Sequence, residues 1–349
     1  MIFDLNDVEK KKVDSLLIQH EKNLDYLMYL QPLIWQKHYQ PSSKAELNDP
    51  YQKRDFLFKQ IEKERPYPND FVKKNMRWDT KLLRIEDYLA NPYLAKLKSL
   101  SFSKNDWALT NKTIKAYTLF PYEEEYHYGS DYLLKMSLAF FDQDYIYPSI
   151  SLYGNEWMSL NPYEIRTMET PILLAKGKVL TLGLGLGYFA YMAHLKEEVK
   201  EVHIVEMDKG LIDIFYEYLL PLFEHPETIH IHKADAFRFI ESINDKDFDF
   251  IFSDLWHDVS DGLPMYIKLK QSLNRFKYTQ CLYWIECALV TYLRTLVIGV
   301  MKDDYYQNRC EYNDIQSLIK EKLANYGIRD YYDLDSLLNI KGLSLLYNN

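Results

Sequence analysis

Lys178-Val179-Leu180-Thr181-Leu182-Gly183-Leu184-Gly185-Leu186-Gly187 is the stretch on which the reading of this 349-residue chain turns. An apolar strand pattern runs directly into three alternating glycines, and helical spacing follows. With no Cβ in the way, such a turn lets a ligand come close to the backbone, and it presents free N–H groups where a helix starts. A nucleotide-like ligand suits that arrangement. Taken alone the pattern is ambiguous, because Gly185-Leu186-Gly187-Tyr188-Phe189-Ala190 also satisfies the Gly-x-Gly-x-x-Ala form of dinucleotide-binding folds.

Downstream the chain alternates strand and helix. Strands are predicted at 178–182, 202–206, 229–232 and 248–253, with helices at 183–196, 209–220 and 237–243 between them. A helix at 266–273 leads to a fifth strand at 280–286. This is an α/β pattern, a Rossmann-like doubly wound parallel sheet. Upstream, apolar residues at threes and fours from Leu5 to Met28 predict an amphipathic helix, with more helical spacing at 56–61 and 82–100. Alternation at 114–119, 132–141 and 145–152 predicts a small β-hairpin unit. The expected organisation is therefore a helical region at 1–112, a hairpin unit at 113–165, the Rossmann-like domain at 166–300 and a helical tail at 301–349.

Four features at strand ends favour S-adenosylmethionine over a dinucleotide. The glycine turn, with Gly183, Leu184, Gly185 and Gly187, is the first. Glu206, followed by Met207, ends the second strand, where a carboxylate accepts the ribose hydroxyls. Asp235 and Ala236 follow the third strand, with an acceptor for the adenine amino group. Asp254 ends the fourth. The segment Asp254-Leu255-Trp256-His257 then offers Asp254 and His257 to bracket a nucleophile, one taking its proton and the other orienting it. No His or Cys spacing of a metal motif occurs, so no metal is expected.

With these residues in hand, the chain resembles the class I S-adenosylmethionine-dependent methyltransferases, and within them the spermidine synthase-like (polyamine aminopropyltransferase) branch. The resemblance spans roughly 132–286. It rests on Leu152-Tyr153-Gly154, Val179 to Gly187, Val205-Glu206-Met207-Asp208, Asp235-Ala236-Phe237-Arg238-Phe239, and Phe248 to Ile251 leading into Asp254. It implies that the glycine turn and Glu206 hold the methionine part and ribose, that Asp235 holds adenine, and that Asp254 accepts a proton from the attacking amine. Leu186, Trp157 and His257 stand where that branch carries Asp, Gln and Asp, so carboxylates for a diamine are depleted. Methyl transfer to a small-molecule nucleophile is accordingly the expected activity. Aminopropyl transfer and a non-catalytic adenosyl-binding or scaffolding role are the alternatives.

Composition narrows the partners. With 42 basic and 51 acidic residues the net charge is −9, which attracts neither phosphate backbones nor anionic lipid. No apolar run is long enough to span a bilayer. The three cysteines, Cys281, Cys287 and Cys310, form no CxxC pair. A cytoplasmic protein, free of nucleic acid and membrane, with a homodimer through its N-terminal helices, is the resulting expectation.

Overall fold

The computed structural model describes residues 1–41, 47, 49–78, 80–124 and 136–347. The first third builds β1 (Ile2–Phe3), α1 (Asp7–Leu30), α2 (Pro50–Glu64), α3 (Asp70–Trp78), β2 (Thr80–Leu82), α4 (Ile85–Leu89) and α5 (Pro92–Leu97). Asn6 and Asn91 cap α1 and α5 by accepting backbone N–H bonds, which places the helix starts where an Asx side chain satisfies the orphan donors. Val13, Leu16 and Leu17 of α1 are buried, and α1 packs on α3 and on helices of the C-terminal tail. These three are thus covered within the chain itself, while Val8 and Met28 of the same helix stay exposed.

Next come β3 (Phe102–Lys104), β4 (Trp107–Ile114), β5 (Phe120–Glu124), β6 (Met136–Phe140), β7 (Tyr145–Leu152) and β8 (Asn155–Ser159). An antiparallel sheet runs in the order β3-β4-β7-β8, and a second sheet in the order β2-β6-β5. The β unit therefore begins before residue 113, and 1–112 is not purely helical: β2, β3 and most of β4 fall inside it. The strand expected at 114–119 is also displaced, since β4 ends at Ile114 and β5 starts at Phe120. Of the strand expected at 132–141, residues 132–135 lie outside the described residues.

The Rossmann-like part follows α6 (Pro162–Leu174). It comprises β9 (Gly177–Leu182), α7 (Tyr188–His194), β10 (Val199–Glu206), α8 (Lys209–Ile214), β11 (Ile229–Lys233), α9 (Ala236–Ser242), β12 (Phe250–Ser253), α10 (Val259–Leu273) and β13 (Gln280–Tyr283). Five parallel strands stand in the order β11-β10-β9-β12-β13. Val179, Leu180 and Leu182 have no exposure, as a central strand covered on both faces requires. From β9 the chain winds outward to β11, then returns across the sheet to β12. That reversal opens a crevice at the carboxyl ends of β9 and β12, where ligands of such sheets bind.

The tail contains α11 (Glu286–Tyr306), α12 (Asp314–Lys322), β14 (Gly327–Ile328), α13 (Tyr331–Leu338) and α14 (Ile340–Leu343). β13 stops at Tyr283, and the chain turns at Ile285 in a left-handed conformation, φ 48°, to start α11. Glu286 is thus a helix residue rather than the last residue of a strand. β14 pairs in parallel with β1, and the Met1 amino group meets Asp304 at 2.6 Å, joining the two ends of the chain.

Candidate functional site

Gly183 takes φ 98° directly after β9 because the carbonyl oxygen of Asp254, at the end of the neighbouring β12, occupies the place of a Cβ. The glycine turn and the acid after the fourth strand are therefore in contact across the switch point. Tyr93 of α5, fully buried, donates its hydroxyl to the Leu186 carbonyl at 2.6 Å. This bond fixes the accessory region against the turn. Gly187 caps α7 from beneath, close to Phe215 and Tyr93, and does not line the cleft. Its expected ligand contact is replaced by a helix-start role.

A cavity of about 460 Å³ opens above these strand ends. Gly183, Leu184, Gly185, Glu206, Met207, Asp235, Ala236, Asp254 and His257 all line it, so the sequence-selected residues other than Gly187 meet in one place. Glu206 links the two turns beneath the cavity. Its Oε1 accepts the N–H groups of Met207 and Asp208 at 2.7 and 2.8 Å, and its Oε2 accepts that of Leu184 at 3.3 Å. Burial raises its pKa, and the three backbone donors work against that rise. Asp235 caps α9 by accepting the Arg238 N–H at 3.0 Å on Oδ1, which leaves Oδ2 for a ligand.

Asp254 differs from both. Among the described residues no donor reaches its carboxylate, and desolvation on the cleft floor pushes its pKa up to about 7. A carboxyl poised near neutrality accepts a proton from a nucleophile and still has a substantial driving force to do so.

The loop after Asp254 is tightly organised. Asp261 accepts the N–H groups of His257 and Asp258 and the His257 ring nitrogen at 3.0 Å, completing a capping box with Asp258 at the start of α10. Burial opposes ionisation of Asp261, but these donors hold its pKa down. Trp256 is 5% exposed and lies where Gly262 has no Cβ. His257 is exposed at the rim, edge-on to Trp157 with ring centroids 4.8 Å apart.

The roof comes from elements that sequence reading had left to packing. β8 contributes Glu156, Trp157 and Met158, and α6 contributes Glu164. Glu156 pairs with Lys112 and accepts the Ser149 hydroxyl at 2.7 Å; burial works against its charge, yet these partners keep its pKa low. Glu164 is at the same time the first-turn acid of α6, facing the helix dipole. Among the described residues the lining holds five carboxylates (Glu156, Glu164, Glu206, Asp235, Asp254) and neither Lys nor Arg. Glu286 is not among them: it accepts Tyr266 Oη and pairs with Lys270, both at 2.7 Å. Tyr163 likewise lies off the lining.

No family model matches the chain, and no curated protein matches its sequence. Among solved structures it is similar to spermidine synthase from Thermotoga maritima, with 18% identity and a TM-score of 0.29 over 38% of this chain and 45% of that one. It is also similar to a spermidine synthase in complex with the transition-state analogue AdoDATO, with 14% identity and a TM-score of 0.30 over 52% of each chain. The chain thus spans about half the length of these neighbours. Likeness at this level carries no argument about activity, and the functional reading stands on the site itself. No helix among the described residues is long and apolar enough to cross a membrane.

Proposed function

We propose that the chain transfers an aminopropyl group from decarboxylated S-adenosylmethionine to an amine. The observation that carries this reading is the lining: five carboxylates with no basic side chain among them. A donor keeping its α-carboxylate would add an anion to this acid-lined wall, where Lys112 is already taken by Glu156 and no lining Lys or Arg answers the new charge, which is unfavourable in a partly desolvated cleft. The decarboxylated donor brings a sulfonium and an ammonium, and the acceptor brings further positive charge. Glu156 and Glu164 supply acids in place of those absent at Leu186, Trp157 and His257.

In this reading Glu206 and Asp235 hold ribose and adenine, and the glycine turn lies under the sulfonium. The acceptor ammonium first gives a proton to Asp254. Its nitrogen lone pair then attacks the methylene carbon beside sulfur, the C–S bond breaks, and the electron pair leaves with neutral methylthioadenosine. The thioether needs no general acid, so positioning and desolvation provide most of the acceleration. His257, outside hydrogen-bond contact with Asp254, orients the acceptor from the rim.

Methyl transfer to an amine is the second reading, favoured by Leu186, a buried apolar residue at the position in the turn where the resembling branch carries an acid. Calorimetry with decarboxylated and carboxylated S-adenosylmethionine discriminates. The aminopropyl reading expects the decarboxylated donor to bind at least tenfold tighter and to yield methylthioadenosine when amines are supplied. Tighter binding of the carboxylated donor, with release of S-adenosylhomocysteine, replaces it with methyl transfer.

A further inference from the structure

Away from the cleft, β10 and β11 gather a second group of side chains. Their parallel register sets His203 directly beside His230, and strand alternation puts Glu201 and His232 on the same face. Glu206, of opposite parity, points to the other face, so this cluster is separate from the adenosyl cavity. Glu201 Oε1 lies 3.5 Å from His203 Nε2, and Glu201 Oε2 lies 3.4 Å from His230 Nε2. The three ligand atoms fall within 4.8 Å of one another.

We propose that Glu201, His203 and His230 bind one divalent first-row transition ion of the Zn²⁺ or Co²⁺ class. Metal–ligand bonds of about 2.0–2.1 Å at tetrahedral angles place neighbouring ligand atoms about 3.3–3.4 Å apart, which the two Glu201 contacts already approach. Two imidazoles and a carboxylate match the borderline character of such ions, with water completing the shell. His203 supplies a second, independent indication: its Nε2 is buried and makes no hydrogen bond. The other ring nitrogen, Nδ1, is 2.8 Å from His232 Nε2. When Nδ1 donates its proton to His232, Nε2 is left with a free lone pair facing the cluster, the support that ligating histidines receive from a neighbouring acceptor. Phe248 packs edge-on to the His203 ring at 5.2 Å and holds it in place.

Lys178 is the competitor. Its Nζ lies 3.2 Å from Glu201 Oε1 and 5.1 Å from the Phe248 ring centre, so without metal it balances the carboxylate. An arriving ion displaces it toward solvent.

Titration of the full chain with ZnCl₂, and with CoCl₂ followed by visible absorption, tests the proposal. One ion should bind per chain. His230→Ala, at a position whose side chain is 42% exposed and whose loss leaves the core intact, should weaken binding at least 30-fold. His232→Ala should weaken it about tenfold, as loss of a supporting partner does. Lys178→Met should tighten it several-fold, a gain that misfolding does not produce. His225→Ala, remote from the cluster, should change nothing. Absence of stoichiometric binding, or equal affinity in wild type and His230→Ala, overturns the assignment.

Discussion

The Met158 side chain reaches down from β8 to Gly185, its sulfur taking the space of the missing Cβ and accepting the Leu186 N–H at 3.1 Å. In the proposed reading, the residue therefore occupies the part of the glycine turn on which the donor's sulfonium arm lies. A thioether is a weak acceptor and a flexible side chain, so it yields easily. Met158→Ala should raise affinity for methylthioadenosine or the donor about two- to fivefold by removing this competition. Gly185→Ala, with φ 51° and the same sulfur against it, should reduce that affinity strongly while circular dichroism stays native. Calorimetry on both variants reads the outcome.

Glu206→Ala should weaken donor binding by about 1.5–3 kcal/mol, through loss of charge-assisted bonds to ribose. The change also frees the N–H groups of Leu184, Met207 and Asp208, so Glu206→Gln serves as the partner variant, its one amide oxygen keeping an acceptor for the Met207 and Asp208 pair. Intermediate affinity in the Gln form is expected, and wild-type affinity in the Ala form removes Glu206 from the site.

Asp254 sets a pH dependence whose sign is fixed by a pKa raised to about 7 from 3.8. Below 3.8 both folded and unfolded chains hold the proton, and the group has no effect on stability. As pH rises from there the unfolded chain ionises first, so stability falls, and the loss is complete above about 7. Asp254→Asn should therefore stabilise the protein by up to about 4 kcal/mol at high pH and not at all at low pH. Denaturant titrations at the two extremes measure this. The same variant should retain donor affinity within a few-fold and lose most of its turnover.

Because that carboxyl is half-protonated near neutrality, binding of a cationic donor or acceptor should pull its pKa down and release protons. Calorimetry at neutral pH in buffers of different ionisation enthalpy should show release of up to about half a proton per ligand. None should be released from Asp254→Asn.

Gly262→Ala should destabilise the fold by about 1–3 kcal/mol, since the new methyl runs into the Trp256 ring that the Asp254 loop depends on. Donor affinity and thermal midpoint should fall together. A neutral outcome would mean that Trp256 repacks freely.

The order of strands and helices from β9 to β12 was readable because β9 and β12 are nearly continuous apolar runs, β10 and β11 alternate apolar with polar residues, and a glycine or an acid follows each. Glu206, Asp235 and Asp254 were legible for the same reason: topology carries them to one crevice once the sheet is parallel. β2 and β3, three residues each, have no pattern of their own: β2 exists through pairing with the distant β6, and β3 through a two-residue turn into β4. Glu286 was misplaced because Ile285 turns the chain with positive φ and no glycine marks the spot. Glu156 and Glu164 face the cleft only because β8 and α6 fold over it. His203 and His230 lie 27 positions apart (230 − 203), and it is strand register, not local spacing, that makes them neighbours.

The contact of α1 with α11 and α13 has a consequence during synthesis. Val13, Leu16 and Leu17 leave the ribosome well ahead of α11 and α13, the helices that cover them. At roughly 5–20 residues per second the wait is on the order of half a minute. For that time an apolar stripe stands open on a nascent chain, so the first helix is the segment where holdase chaperones would be expected to act, and polar substitutions there should alter yield more than activity.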